Sequence, residues 1–120
     1  MFADDLREYL LGKTGATEGQ PFGPDVLVYK VAGKMFAFLK IDDEDGLGRC
    51  NLKCDPVRAE ALRLDHESIL PGYHMNKKHW NTLVLDPSLS DQLVKELVDH
   101  SWDLVVAGLT KKARTALLGE

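Results

Sequence analysis

The segment VLVYKVAGKMFAFLKI, residues 26–41, constrains the fold more than any other part of the sequence. It is rich in β-branched and aromatic residues, and Ala32-Gly33 interrupts it near its middle. This pattern predicts two antiparallel strands joined by a tight turn. Both strands are apolar on both faces, which is typical of strands that lie centrally in a sheet or offer one face to a partner. We therefore expect a sheet to be built outward from this hairpin.

Helices are predicted near both ends of the chain from apolar residues at helical spacing. The first covers residues 2–12 and precedes a loop, residues 14–25, that is rich in glycine and proline. Residues 86–88 are expected to cap the longest helix, and Gly108 to end it before a last amphipathic helical turn or two. The apolar face of the longest helix is formed by Leu89, Leu93, Leu97, Val98, Trp102 and Val105.

A shorter helix is predicted in the middle of the chain. Asp55 is suited to its N-cap, and Pro56 to its first helical position. This helix is expected to bury Val57, Ala61 and Leu64.

Further strands are predicted at residues 47–54, 73–75 and 79–86. The element order is then α-β-β-β-α-β-β-α(-α), a run of hairpins with helices packed on the sheet. Such an order predicts an α+β fold with an antiparallel sheet rather than a doubly wound one. The 120 residues suit a single domain that spans residues 1–120.

The composition argues against several classes of protein. The formal net charge of −4 argues against a strongly basic nucleic-acid binder, but it is compatible with a local basic face. The sequence has no run of about 18 apolar residues that would span a membrane, and its start lacks the basic and apolar regions of a signal peptide. We therefore expect a cytoplasmic protein without membrane contact.

The sequence contains no motif for catalysis or for a cofactor. A G-x-S-x-G nucleophile motif and the glycine motifs that cradle phosphates are both missing. Cys50 and Cys54 would lie about 13 Å apart on one face of a strand, too far for a disulfide, and are expected to be reduced thiols that are buried or half-buried. Their C-x3-C spacing without further ligands predicts no zinc site. We expect a protein that is not an enzyme and that binds no metal or small-molecule cofactor.

The segment GYHMNKKHW has the composition of a binding site. Lys77 and Lys78 at a hairpin tip can neutralise phosphates. Asn76, His74 and His79 beside them can hydrogen-bond sugars or base edges. A basic tip on a twisted hairpin has the shape of a DNA-binding wing. Lysines at turns can also serve only to block edge-to-edge pairing of sheets.

The same segment raises the question of a metal site. If Asn76-Lys77 forms a two-residue turn, His74 lies directly across from His79, with Cβ atoms within about 5 Å. Two imidazoles are fewer than the three or four ligands of a stable site, so a polar surface pair is predicted. A single helical turn over residues 76–80 would instead break this pairing.

Protein or peptide binding is a separate hypothesis. If the helices leave one sheet face open, Phe36, Phe38 and Val28 would form an apolar docking surface on it. Whether such a docking surface exists depends on which faces of the sheet the helices cover.

Four segments, VYKVAGKMFAFL, NLKCDP, PGYHMNKKHWNTLVLD and SWDLVVAGL, occur in an order that resembles the MmcQ/YjbR family of small bacterial proteins. The resemblance covers about residues 4–115. It implies a CyaY-like α+β fold with hairpins like a double wing, for which family members are labelled DNA-binding, and it supplies no catalytic residues. The same architecture resembles secretion chaperones, which bind protein segments.

The leading hypothesis is a non-catalytic cytoplasmic protein that acts as a monomer and binds double-stranded DNA. Lys77 and Lys78 would contact phosphates from one wing. Lys34, in the AGK turn, would lie at the tip of the second wing. The alternative is a chaperone-like module that binds a protein or peptide through its sheet.

Overall fold

The computed structural model describes residues 1–72 and 75–120. Its helices are α1 (Ala3–Leu11), α2 (Pro56–Asp65), α3 (Asp91–Ala107) and α4 (Lys111–Leu118). Its strands are β1 (Ala16–Gly19), β2 (Val26–Val31), β3 (Lys34–Lys40), β4 (Arg49–Lys53), β5 (Ile69–Pro71) and β6 (Trp80–Val84). The strands form one antiparallel sheet in the order β1-β2-β3-β4-β6-β5. The predicted α+β fold with an antiparallel sheet is confirmed.

Side chains from all four helices join one core on one face of the sheet. We call this the inner face and the opposite one the outer face. Because strand residues alternate between faces, the inner face is identified by its buried core positions. These are Leu27, Tyr29, Val31, Ala37, Leu39, Cys50, Leu52, Ile69 and Leu83. Cys50 and Cys54 are both free and buried, which agrees with the predicted reduced thiols.

Strand β1 was not predicted, since its residues lie within the expected loop of residues 14–25. Its pairing with β2, from Ala16 opposite Val31 onward, supplies the strand conformation that its short sequence does not specify. Its one charged residue, Glu18, points inward and is fixed there by two neighbours. The Tyr29 hydroxyl donates to Glu18 at 2.7 Å, and Arg7 donates two hydrogen bonds to the same carboxylate. The observed order therefore has one strand more than the predicted order.

Only Met75 of the predicted strand over residues 73–75 lies within the described part of the chain. The strand in this region is Ile69–Pro71, which pairs with β6 at the edge of the sheet. Proline is tolerated at such an edge because no ladder hydrogen bond needs its missing N–H. Met75 lies in a bend, and the other two residues of the predicted strand lie outside the described part of the chain.

Helix α2 begins as predicted but buries a different face. Asp55 is its N-cap and accepts a hydrogen bond from the N–H of Arg58 at 3.1 Å. The predicted core residues Val57 and Leu64 are 80% and 83% exposed, and Ala61 is exposed as well. Ala59 is completely buried instead.

The rotation of α2 is set by Asn81 on β6. Its side-chain amide donates to the carbonyl of Ala59 at 3.3 Å, and its Oδ1 accepts from Arg63 Nη1 at 2.7 Å. Asn81 is 2% exposed, and a buried amide needs partners for its donors and acceptor. These bonds turn the Ala59 side of the helix toward the sheet.

Helix α3 begins later than predicted. Ser90 is its N-cap and accepts from the N–H of Leu93 at 3.1 Å, whereas residues 86–88 form a separate turn. Gly108 ends the helix, as predicted. Leu97, Val98 and Val105 on the predicted apolar face are buried, together with Val94, Ser101 and Val106.

A β-bulge interrupts the pairing of the two central strands. Tyr29 pairs with Ala37, but Lys30 pairs with Met35, so Phe36 has no partner on β2. Because the extra residue shifts the alternation, Phe36 and Ala37 are both buried in the inner core.

The hydroxyl of Ser101 on α3 bridges β3 and β4 beside this bulge. It donates to the carbonyl of Phe36 at 2.6 Å and accepts from the N–H of Lys53 at 2.9 Å. Ser101 is completely buried, so its hydroxyl links β3, β4 and α3 without access for water.

We expect Ser101→Ala to lower the free energy of unfolding by about 2–4 kcal/mol, because it leaves a buried carbonyl and a backbone N–H without partners. Urea unfolding at constant m-value measures the loss. A change below about 0.5 kcal/mol would show that the hydroxyl does not support the bulge.

The β2–β3 turn offers a stabilising change. Ala32 and Gly33 have φ of +48° and +78°, as a type I′ turn requires, and alanine is disfavoured there. Ala32→Asn is expected to raise the free energy of unfolding by about 0.5–1 kcal/mol, measured by urea unfolding. Gly33→Ala, at an open position, should lower it by about 1 kcal/mol through backbone strain alone. A urea-unfolding midpoint of Ala32→Asn below that of the unchanged protein would contradict this description of the turn.

Candidate nucleic-acid interface

The sheet topology brings both predicted wings to one end of the molecule. The β2–β3 turn precedes Lys34, and the β5–β6 connection precedes Trp80. Since β4 runs antiparallel to both β3 and β6, its last residue, Lys53, lies at the same end and pairs with Trp80. We call this the wing end. With β4 between the hairpins, their midlines are three strand spacings apart, or about 14 Å.

The β5–β6 tip is a four-residue turn rather than the predicted two-residue turn at Asn76-Lys77. The N–H of His79 donates to the carbonyl of Asn76 at 3.1 Å, and the N–H of Lys78 donates to Asn76 Oδ1 at 2.9 Å. An asparagine side chain often stabilises a turn by accepting a hydrogen bond from the backbone N–H two residues later. The predicted two-residue turn did not include this bond. Lys77 and Lys78 therefore occupy the centre of the turn, and both are exposed.

Neighbouring elements support this tip. Arg63 on α2 approaches the carbonyl of Lys77 at 3.5 Å, and the N–H of Cys54 donates to the carbonyl of His79 at 2.8 Å. Gly72 donates its N–H to the carbonyl of Trp80 at 2.9 Å. A Cβ at Gly72 would lie 2.7 Å from Trp80 Cβ, so this close approach requires glycine.

The predicted site residues fall into three groups. Asn76, Lys77, Lys78 and His79 share the β5–β6 tip, where His79 is half-buried. Lys34 is exposed beside the β2–β3 turn at the same end of the sheet. His74 lies outside the described residues, so the predicted His74–His79 pair does too.

The two ends of the sheet differ in how their cations are paired. At the end opposite the wings, Lys40 lies 3.1 Å from Asp43, and Arg49 lies 2.7 Å from Asp45. The backbone N–H of Glu44 and the Lys40 ammonium lower the pKa of Asp43. The Arg49 guanidinium and a backbone N–H lower the pKa of Asp45.

At the wing end, by contrast, the lysines are without such partners. Among residues 1–72 and 75–120, no carboxylate lies within 4 Å of the amino groups of Lys34, Lys53, Lys77 or Lys78. Asp43 and Asp45 thus neutralise cations at one end of the sheet, whereas these four lysines at the other end have no carboxylate partner among the described residues.

The outer face carries charge of one sign. The charged side chains at its strand positions are Lys30, Lys40, Arg49 and Lys53. Within the described strands, the one acidic residue is Glu18, which points to the inner face. Asn51 and Thr82 occupy the centre of the outer face, where their side chains hydrogen-bond at 2.6 Å.

Two of the three residues predicted for an apolar docking surface are buried. Phe36 is 0% exposed because the bulge turns it inward, and Val28 is 3% exposed, so both predictions are wrong. Phe38 is half-buried on the outer face. Its ring centroid lies 6.2 Å from that of Phe22, which is 70% exposed. Phe22 was not among the predicted site residues. Its position as an aromatic residue within the turn-forming segment QPFGP could have indicated it from the sequence.

The described residues give little support to a metal site, a reactive cysteine or a membrane span. No group of three or more histidine, cysteine, aspartate or glutamate side chains there could hold a metal ion. Burial raises the pKa of the Cys50 thiol to about 12 and also raises that of Cys54, which makes both weak nucleophiles. None of the described helices is both long and apolar enough to cross a membrane.

Two uncharacterized proteins of Escherichia coli are similar to this chain in sequence. The chain is 33% identical over 118 residues to the uncharacterized protein YjbR of Escherichia coli K12, covering 98% of each chain. It is 41% identical over 92 residues to the uncharacterized protein YbdF of Escherichia coli O157:H7, covering 77% of this chain and 74% of that protein.

Two solved structures share the architecture. The crystal structure of Deinococcus radiodurans protein DR2400, a DUF419 domain, matches with a TM-score of 0.88 at 41% identity, over 97% of this chain and 87% of that chain. A crystal structure of a Pseudomonas syringae protein matches with a TM-score of 0.75 at 27% identity, over 87% of this chain and 98% of that one. The YjbR family model matches residues 11–104, so the chain belongs to the YjbR family.

Proposed function

We propose that this protein binds double-stranded DNA without catalysis, as a cytoplasmic monomer that needs no cofactor. The observation that carries the proposal is the wing end. Lys34 on one hairpin tip and Lys77 and Lys78 on the other are exposed, and no described carboxylate neutralises them. Unpaired cations on two projecting tips are suited to phosphate contacts, which supply most non-specific affinity for DNA.

The separation of the tips suits a duplex. The hairpin midlines lie about 14 Å apart, which is close to the roughly 12 Å width of the major groove. Two tips at this separation can contact phosphates on opposite sides of one groove. The topology of the sheet supports this arrangement, because β4 fixes the separation by hydrogen bonds on both of its edges.

The remaining predicted residues have supporting roles in this proposal. Asn76 Oδ1 holds the turn that presents Lys77 and Lys78, so Asn76 acts mainly by positioning them. His79 and His74 are assigned to hydrogen bonds with sugars or base edges near the same tip.

Binding through lysine–phosphate contacts depends on salt, because each contact releases counterions from the DNA. Three lysine–phosphate contacts give a slope of about −2.7 for the logarithm of the association constant against the logarithm of the salt concentration. Affinity should then fall by about 40-fold between 50 and 200 mM salt.

The peptide-binding alternative has less support. Phe36 and Val28, two of its three proposed contact residues, are buried. The outer face that remains is basic around Phe38, so it is poorly suited to a mainly apolar peptide segment.

We predict that Lys77→Glu combined with Lys78→Glu weakens binding to every duplex sequence tested. The change removes two of three phosphate contacts, so the salt slope should fall in magnitude by about 1.8. Fluorescence anisotropy of a labelled mixed-sequence duplex at several salt concentrations measures both effects.

A matched control is available in the sequence TKKA on α4. Lys111 and Lys112 are also adjacent and exposed, but they lie on helix α4 and not on either hairpin. Lys111→Glu with Lys112→Glu makes the same change in net charge and should leave the salt slope near its original value. Equal losses in the two double variants would contradict the wing assignment and indicate a general charge effect.

A further inference from the structure

The outer face of the sheet combines cations with exposed aromatic surface. In a chain with 19 acidic and 15 basic residues, the charged outward positions of the described strands all carry lysine or arginine. Lys40 and Arg49 are paired with Asp43 and Asp45, as described above. Lys30 and Lys53, nearer the wing end, have no described carboxylate partner within 4 Å.

Phe22 is held over this face. Its ring packs on Phe38 with the ring planes inclined by 41°, yet 70% of the residue stays exposed. Phe38 pairs with Val28 on one side and with Asn51 on the other, which places the aromatic pair over the central strands. An aromatic side chain that packs on one neighbour and leaves most of its surface in water is available to stack with another flat ring.

We propose that the outer face binds single-stranded DNA, with unpaired bases stacking at Phe22 and phosphates held by Lys30 and Lys53. This inference rests on the proposed function, because the strand would continue from the wing-end lysines onto the face. Binding of this kind combines a positively charged track with aromatic platforms on a sheet.

The chemistry of the face favours a single strand over the other anionic polymers. A duplex offers phosphates but keeps its bases stacked on each other, so it cannot use the Phe22 ring. An acidic polypeptide matches the charge of Lys30 and Lys53 but supplies no regular series of rings. Every base has a flat face, so a strand of any sequence satisfies both features.

The test compares Phe22→Ala with the unchanged protein by anisotropy of a labelled thymidine 15-mer, a length within the usual range of roughly 4–16 nucleotides per site. Loss of one stacking platform should weaken binding to the 15-mer at least about fivefold. Affinity for a duplex should stay within about twofold, because the duplex contacts are assigned to the wing tips. Lys30→Glu should weaken binding to the 15-mer as well, and more strongly at low salt.

Phe2→Ala is the matched control, since Phe2 is 82% exposed and lies at the start of α1, away from the outer face. If Phe22→Ala and Phe2→Ala have the same affinity for the 15-mer, the stacking site is disproved. The inference also fails if polyglutamate displaces the 15-mer at equal charge concentration. It fails again if the unchanged protein does not bind the 15-mer. Duplex titrations of the Lys77→Glu, Lys78→Glu variant decide the proposed function independently of these outcomes.

Discussion

The hydroxyl of Ser101 holds together the part of the sheet from which the wings project. A bulge at Phe36 removes one residue from the β2–β3 ladder, and the β3–β4 ladder ends at Ala37 and Leu52, so the carbonyl of Phe36 is not part of it. Ser101 accepts the N–H of Lys53 and donates to that carbonyl, so one helix residue replaces the missing connection between β3 and β4. The bulge also turns Phe36 inward, where it fills the core with Ala37. The exclusion of Phe36 from the surface follows from this local change of register.

Charge is distributed over the fold in a way that the net charge conceals. The acidic loop of residues 42–45 neutralises Lys40 and Arg49 at one end of the sheet. The lysines at the opposite end keep their charge available. A protein with a net charge of −4 can thus present a local basic surface, although the rest of its surface repels a polyanion. Such a balance favours weak, strongly salt-dependent association over tight binding.

Much of the fold was predictable where the signal is local. The hairpin of residues 26–41 and the Asp55-Pro56 helix start each follow from a pattern within a few residues. Strand β1 was not predictable in this way, because its conformation comes from pairing with β2. The exposure of Val57 and Leu64 depends on Asn81, a residue from a strand that follows much later in the chain. Burial of an asparagine opposite a helix has no local sequence pattern.

The candidate site was predictable in its residues but not in its geometry. The lysines of GYHMNKKHW stand out by composition, whereas the four-residue turn depends on one side-chain bond of Asn76. The chain has 19 acidic residues, and the sequence does not show which of them lie near Lys34, Lys77 and Lys78. That no described carboxylate lies beside these lysines is therefore known only from the tertiary structure. Phe22 became a candidate binding residue only from the fold, which places its ring against that of Phe38.

The central claim is that the wing end contacts DNA, and an NMR titration tests it most directly. Labelled protein would be mixed with a short mixed-sequence duplex at low and at moderate salt, and backbone amide shifts would be followed. If the wing end contacts DNA, salt-sensitive shifts should be concentrated at residues 32–35 and 75–80. No shifts at millimolar DNA, or shifts confined to the acidic loop of residues 42–45, would contradict it.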